Sequence, residues 1–332
     1  MGPLVLQAPL AGVTDRIFRG LVRRWAGDTL LFTDMVPASR LEDDRSHRKL
    51  AGLGDEPGPV GVQLFDHRPE VMAEAARRAE ALGAAAIDIN MGCPVPKVAR
   101  RGGGSALLRD PELAARIVAA VAAAVTVPVS VKARLGWCET SADPVGLALR
   151  LQNAGARRLT LHGRTRRQGY AGRADWAAIG AVKRAVAIPV IANGDISTAD
   201  DARRCLALSG ADGVMVGRAT LGAPWTVGRL QAQLAGRPDP GEPPPQARLL
   251  LARDHLELLL QAHGPHGLLI ARRHLGWALA GLPGGAPLRA ALMQTGDANL
   301  ALALLTRAAA EADGAPQGST DGQPWRTSSS EK

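Results

Sequence analysis

The chain has 332 residues, 46% of them hydrophobic and 21% charged, which allows a large core and excludes wholesale disorder. Its formal net charge is +9, so a polyanionic partner and a compositional excess of arginine both stand as explanations. Three scattered cysteines, Cys93, Cys138 and Cys205, make neither a disulfide framework nor a zinc site, and a cytoplasmic setting is expected.

The N-terminal MGPLVLQAPLAGVTD lacks the basic region of a secretory signal, and no apolar run approaches the roughly 20 residues of a membrane helix. Short apolar runs recur instead at Leu4–Gln7, Leu30–Met35, Val60–Leu64, Ala85–Asn90, Val127–Lys132, Arg158–His162, Pro189–Ala192 and Ala211–Val216. Runs without polar alternation suit strands buried on both faces of a parallel sheet. Between most of them lie Ala- and Leu-rich segments of helical length, such as 69–82, 112–125 and 199–209. Eight such units predict an α/β fold, a TIM (β/α)8 barrel over residues 1–237. APLAGVTD after the first strand is not the Gly-rich fingerprint of a doubly wound sheet. Residues 238–245 are a Pro/Gly-rich linker, and 246–312 carry helical periodicity, a small all-α bundle. The tail 313–332 has almost no apolar content and is expected to be disordered.

Barrel chemistry collects at the C-terminal strand ends. Those ends carry Pro9, Leu10 and Ala11; Thr33 and Asp34; Gln63; Asn90; Lys132 and Arg134; His162 and Arg164; Asn193, Gly194 and Asp195; and Gly217 and Arg218. The last two turns contain glycine and precede helices, where backbone N–H groups can approach a phosphate. Lys132 closes the apolar run VPVSVK, and a buried ammonium needs an anionic or electron-rich partner. A Schiff-base carbonyl and a flavin ring or phosphate are the two candidates. Gln63 both donates and accepts, which suits the edge of a uracil-like or flavin ring, and His162 on the strand next to Lys132 reads as a ligand contact. Cys93, in the tight turn NMGCP, is placed to act as a nucleophile or a proton donor. Basic residues gather on the same side: Lys97, Arg100 and Arg101, then Arg164, Arg166 and Arg167, with Arg272 and Arg273 on the bundle. A phosphate backbone laid across rim and bundle accounts for these clusters.

The segments APLAGVTD, DINMGCPVPKV, GGGSALLRDP, VSVKARLGW, LTLHGRTRRQGY, IPVIANGDI and GADGVMVGRATLGAPW span the barrel in order, and ARRHLGWALAGLPGGAPLR follows in the bundle. Together they resemble the tRNA-dihydrouridine synthases, most nearly the bacterial B-type, NifR3-like branch. The resemblance implies an oxidoreductase that reduces the C5–C6 double bond of particular uridines in tRNA to 5,6-dihydrouridine. It further implies FMN as cofactor and NADPH, or NAD(P)H more broadly, as reductant. FMN contacts carry over to Pro9, Leu10, Ala11, Gln63, Lys132, His162, Asn193, Gly194, Asp195, Gly217 and Arg218. The resemblance also implies that the hydride would come from flavin N5 to uracil C6 and the proton from Cys93 to C5, with His162 and Lys132 supplying positive or donor character. Asn90 is implied to orient the flipped uracil, with Arg134, Arg164 and Arg166 near the entrance, and tRNA contacts extend to Lys97, Arg272 and Arg273. A monomer is expected. The sequence departs from the family at Gly169-Tyr170, where a second large apolar or aromatic residue is usual. A barrel oxidoreductase of a free small molecule and an idle tRNA-binding module are the two competing readings.

Overall fold

The computed structural model describes residues 2–41, 50, 52–100 and 102–313. The expected tail from 314 onwards, Arg101 and the side chain of Lys97 lie outside the described residues.

Strands β1 (Leu4–Gln7), β2 (Leu31–Phe32), β3 (Val36–Pro37), β4 (Val60–Phe65), β5 (Ala86–Met91), β6 (Val129–Arg134), β7 (Arg158–His162), β8 (Val190–Asn193) and β9 (Gly213–Val216) form one parallel sheet. Its order is β1-β9-β8-β7-β6-β5-β4-β2, with β3 also on β4. This is a TIM barrel, nearly closed: among the described residues no ladder joins β1 to β2. Helices α1 (Arg16–Ala26), α2 (Pro69–Ala81), the short α3 (Pro96–Ala99), α4 (Pro111–Ala124), α5 (Pro144–Asn153), α6 (Trp176–Ala185), α7 (Ala199–Ser209) and α8 (Thr226–Leu234) follow the strands.

The second strand is where the sequence expectation and the structure differ. A single run over 30–35 was expected, whereas β2 stops at Phe32 and the chain pairs again only at β3. Thr33 interrupts the ladder, because its Oγ1 rather than a backbone carbonyl accepts the Gln63 N–H, at 3.1 Å. Asp34 N–H turns away and donates to Thr14 O, at 3.2 Å.

Local chemistry starts the helices. Asp15, Asp110, Asp143 and Asp175 each accept from a backbone N–H three residues on, and Thr198 with Asp201 forms a reciprocal capping box on α7. Outward-facing strand residues, among them Val62, Ile87, Ile89, Val131, Leu161 and Val190, pack beneath the helices in the main core. The inside of the barrel is divided. Leu6, Ala8, Phe32, Ile191 and Met215 make a small apolar cluster. Across from it, β4 to β7 present Gln63, Asp88, Ser130 and Thr160, all buried and polar.

After α8, residues 235–244 carry no regular structure, and α9 (Pro245–His263), α10 (His266–Ala278), α11 (Gly285–Gln294) and α12 (Ala298–Asp313) follow. Leu249, Leu256, Leu259, Leu268, Leu275, Leu292 and Leu305 give these four helices a core of their own. They meet the barrel along a seam of α1 with α9 and α10. There Gly222, at φ 70°, lies so close to α10 that a Cβ would stand 2.5 Å from the Trp277 carbonyl.

Candidate active site at the barrel mouth

Strand register gathers the polar side chains. Asn90 pairs with Lys132 across β5 and β6, Arg134 with His162 across β6 and β7, and His162 with Asn193 across β7 and β8. Two-residue alternation turns these side chains inward, and β6 continues to Arg134, beyond the expected end at Lys132.

Lys132 Nζ donates to Asn193 Oδ1 at 3.0 Å, and Asn193 Nδ2 donates to Met215 O at 2.8 Å. The ammonium has no hydrogen-bonded carboxylate among the described residues. Burial, reinforced by Arg134, brings its pKa down to about 8, so it remains mostly charged at neutral pH. His162 behaves differently. Burial first, then Lys132, Arg134, Arg164 and Arg218, drive its pKa down to about 2. The expectation of positive or donor character therefore divides: Lys132 carries the charge, and the imidazole is neutral.

Asn90 and Gln63 form a chain. Asn90 Oδ1 accepts from Gly92 N at 3.1 Å and from Cys93 N at 2.9 Å, while its Nδ2 donates to Gln63 Oε1 at 2.8 Å. Gln63 Nε2 in turn donates to Asp88 Oδ2 at 2.6 Å. Cys93 is 8% exposed, and burial raises its thiol pKa, so it holds its proton at neutral pH.

Three arginines expected at the entrance have structural partners. Arg134 donates to Gly92 O, Thr165 O and Gly169 O at 2.9, 3.0 and 2.8 Å, tying the Cys93 turn to the loop after β7. Arg164 donates to Ala171 O, Gly172 O and Asp195 Oδ2 at 3.0, 2.6 and 2.6 Å. Both are 2% exposed and brace loops. Arg166 is half-buried, its guanidinium 4.6 Å from the centre of the Trp137 ring.

Asp195 is the one described non-glycine residue with positive φ, 55°, beside Gly194 at 113°. Aspartate tolerates this left-handed conformation better than most residues, and such geometry concentrates at functional sites. A carboxylate there would repel a phosphate by itself, but Arg164 at 2.6 Å and Arg218 at 3.5 Å both face it. Two cations on one anion leave the turn net positive. Pro9, Leu10 and Ala11 complete the rim beyond β1, growing from half-buried to exposed. Tyr170, 59% exposed, lies under the Arg218 guanidinium at 4.6 Å and near the His162 ring at 6.2 Å.

The bundle reaches the mouth through one of its two expected arginines. Arg273 is exposed and donates to Gly12 O at 3.4 Å, whereas Arg272 points into the bundle and donates to Thr295 O at 3.2 Å. Sequence reasoning passed over Cys138. The hydroxyls of Ser141 and Thr140 lower its thiol to about 7, and their spacing in CETS was the available signal. Asp88 was passed over too, although it falls on the inward parity of Asn90.

Comparison with known proteins fits this geometry. The family model described as dihydrouridine synthase matches residues 6–313. The chain is 49% identical over 290 residues to a probable tRNA-dihydrouridine synthase 1 of Synechocystis, covering 87% of this chain and 82% of the relative. It is 43% identical over 310 residues to the tRNA-dihydrouridine synthase B of Xanthomonas axonopodis, covering 91% and 92% of the two chains. With that of Pseudomonas aeruginosa it shares 43% over 288 residues, 86% of each. The chain is a member of the dihydrouridine synthase family.

Proposed function

We propose that this protein reduces particular uridines of tRNA to 5,6-dihydrouridine in the cytoplasm, with FMN as cofactor and NADPH as reductant. The observation that carries the reading is a buried, protonated thiol, Cys93, whose turn is pinned by Asn90 and Arg134 at a cationic barrel mouth.

The residues present fit FMN. Lys132 is a half-buried ammonium whose hydrogen-bond partner is the neutral Asn193, and the Asp195 turn carries two guanidiniums against one carboxylate. Lys132, Asn193, Gln63 and His162 would hold the ring, and Gly194, Gly217 and Arg218 the phosphate, beside Pro9, Leu10 and Ala11. When bound, FMN supplies the hydride that the uracil C5–C6 bond needs.

The chain's own residues do the rest. A uridine in a stacked arm is covered on both faces, so it must swing out before the mouth can take it. Negative charge develops over C5 and the C4 carbonyl as C6 is reduced, and the Lys132 ammonium stabilises it in a site sheltered from water. Cys93 Sγ gives its proton to C5, and its raised pKa keeps that proton available at neutral pH. Neutral His162 adds a dipole without another repelled charge. Arg273, reaching from the bundle to Gly12, extends the cationic rim towards the RNA backbone.

The test is Cys93→Ala, assayed by mass spectrometry of dihydrouridine in unmodified tRNA. Flavin absorbance should remain and product should fall by about 100-fold or more. Turnover near wild type would remove Cys93 as proton donor, and a wild-type protein that leaves tRNA unreduced would remove the whole reading.

A further inference from the structure

Asp88 sits beneath the barrel mouth on β5. It is 1% exposed, lies on β5 one inward position below Asn90, and accepts from Gln63 Nε2 and from Ser130 Oγ, each at 2.6 Å. Burial raises its pKa, while Arg158 and Lys132 oppose that rise. The Arg158 Nε has no hydrogen-bond partner among the described residues, and its guanidinium stands 5.6 Å over the Phe32 ring, a cation whose charge acts on Asp88.

The amides between Asp88 and Cys93 can be satisfied in one way. Gly92 and Cys93 both offer N–H groups, so Asn90 must show them its Oδ1. Its Nδ2 then faces Gln63, which must answer with Oε1. That leaves Gln63 Nε2 towards Asp88, whose Oδ2 must accept. Turning either amide over would set donor against donor at one end and acceptor against acceptor at the other, among side chains that are buried.

We infer that Asp88 is a positioning residue: its Oδ2 fixes the orientation of Gln63, and through it of Asn90, and so holds the Cys93 turn in its working place. The mechanistic consequence rests on the function proposed above, but the hold on Cys93 does not. Asparagine at position 88 still offers an oxygen to Gln63 and a donor to Ser130, whose hydroxyl can accept, so the relay survives. Leucine is of similar size and offers no acceptor.

The test compares Asp88→Leu and Asp88→Asn with the parent in two assays. The first is the iodoacetamide alkylation rate at Cys93, resolved from Cys138 and Cys205 by peptide mass spectrometry, which needs neither flavin nor tRNA. Asp88→Leu should change it by about threefold or more and Asp88→Asn by less than about twofold. The second is dihydrouridine formation, where Asp88→Leu should lower kcat by about tenfold with KM for tRNA little changed, and Asp88→Asn should restore it. If Asp88→Leu does not fold, Asp88→Ser, with a hydroxyl too short to reach Gln63, takes its place. A folded Leu or Ser variant that matches the parent in alkylation overturns the inference, as does an Asn variant as impaired as Leu. If the alkylation pattern holds while the parent reduces no uridine, the positioning stands and the proposed function falls.

Discussion

The barrel mouth and the seam between barrel and bundle are both buried and both polar, yet they are completed differently. At the mouth, Asp88, Gln63, Asn90, Asn193, Arg134 and Arg164 find their partners within the chain itself. At the seam, His255 Nε2, both ring nitrogens of His274 and Arg248 Nε have none. The two imidazoles stand 4.5 Å apart beside Phe18, and with Arg248 they line a cavity of about 20 Å³. That is room for about one water molecule. Closed polar networks fix geometry, which the proton transfer proposed for Cys93 would require. At the seam, no partner within the chain fixes the orientation of these rings in the way that Asn90 and Arg134 fix the Cys93 turn.

The largest expected effect tests the mouth at Lys132. Its pKa of about 8 means that the ammonium loses its proton as pH rises through 8, and with it the attraction for an anionic or electron-rich ligand. FMN affinity of the parent should hold up to about pH 8 and fall by about tenfold over the next pH unit or more. Lys132→Met should bind FMN about 100-fold more weakly and show no such decline. Fluorescence titration of FMN across pH reads both. A parent whose affinity is flat to pH 10 would show that the cation does not face the ligand, and the contrast with the seam would lose its functional half.

The seam should yield to acid. Burial lowers His255 to about 3 and His274 to about 4, the first also through His274 and the second also through Arg273. An unfolded histidine takes up its proton near 6.5, so between about 6.5 and 4 the unfolded chain binds more protons than the folded one. Stability is therefore complete above pH 6.5 and declines as pH falls. Calorimetry should give a Tm about 5 °C lower at pH 5 than at pH 7.5, and His274→Leu should shrink that difference by about half. A Tm independent of pH over that range would mean the pair is hydrated well enough to titrate normally.

The strands were readable from sequence because their outward residues, such as Ile87-Ile89 and Val129-Val131, must be apolar wherever helices cover them. The break after Phe32 was not, since it depends on Thr14 and Gln63, distant in sequence. The strand-end positions of Lys132, His162 and Asn193 were equally legible, because period-two alternation fixes which side chains share the mouth. What stayed hidden was how those side chains spend their hydrogen bonds. Arg134 and Arg164 look from sequence like entrance charges, yet each continues the inward parity of the lysine or histidine before it. Buried at that depth, a guanidinium with five donors is spent on carbonyls and, for Arg164, on the Asp195 carboxylate as well.

The smallest expected effect concerns a side chain that joins the two regions, Arg273. Arg272 and Arg273 are neighbours in sequence with equal formal charge, and sequence alone assigns both to RNA. On α10 they point apart: Arg272 Nε is buried and Nη2 is committed to Thr295 O, while Arg273 is exposed and spans to Gly12 at the mouth. A charge committed inside a helical bundle cannot displace counterions from a phosphate, whereas an exposed one can. Arg273→Gln should lower the slope of log affinity for tRNA against log salt by about one, with Tm unchanged within about 1 °C. Arg272→Gln should leave that slope alone and lower Tm by a few degrees, about what one lost hydrogen bond is worth. Equal slopes for both variants would place Arg272 on the RNA face after all. On the proposed function NADPH oxidation would need no RNA, so it should be the same in both variants, which isolates the effect to docking and separates the seam-side residue from the one at the mouth.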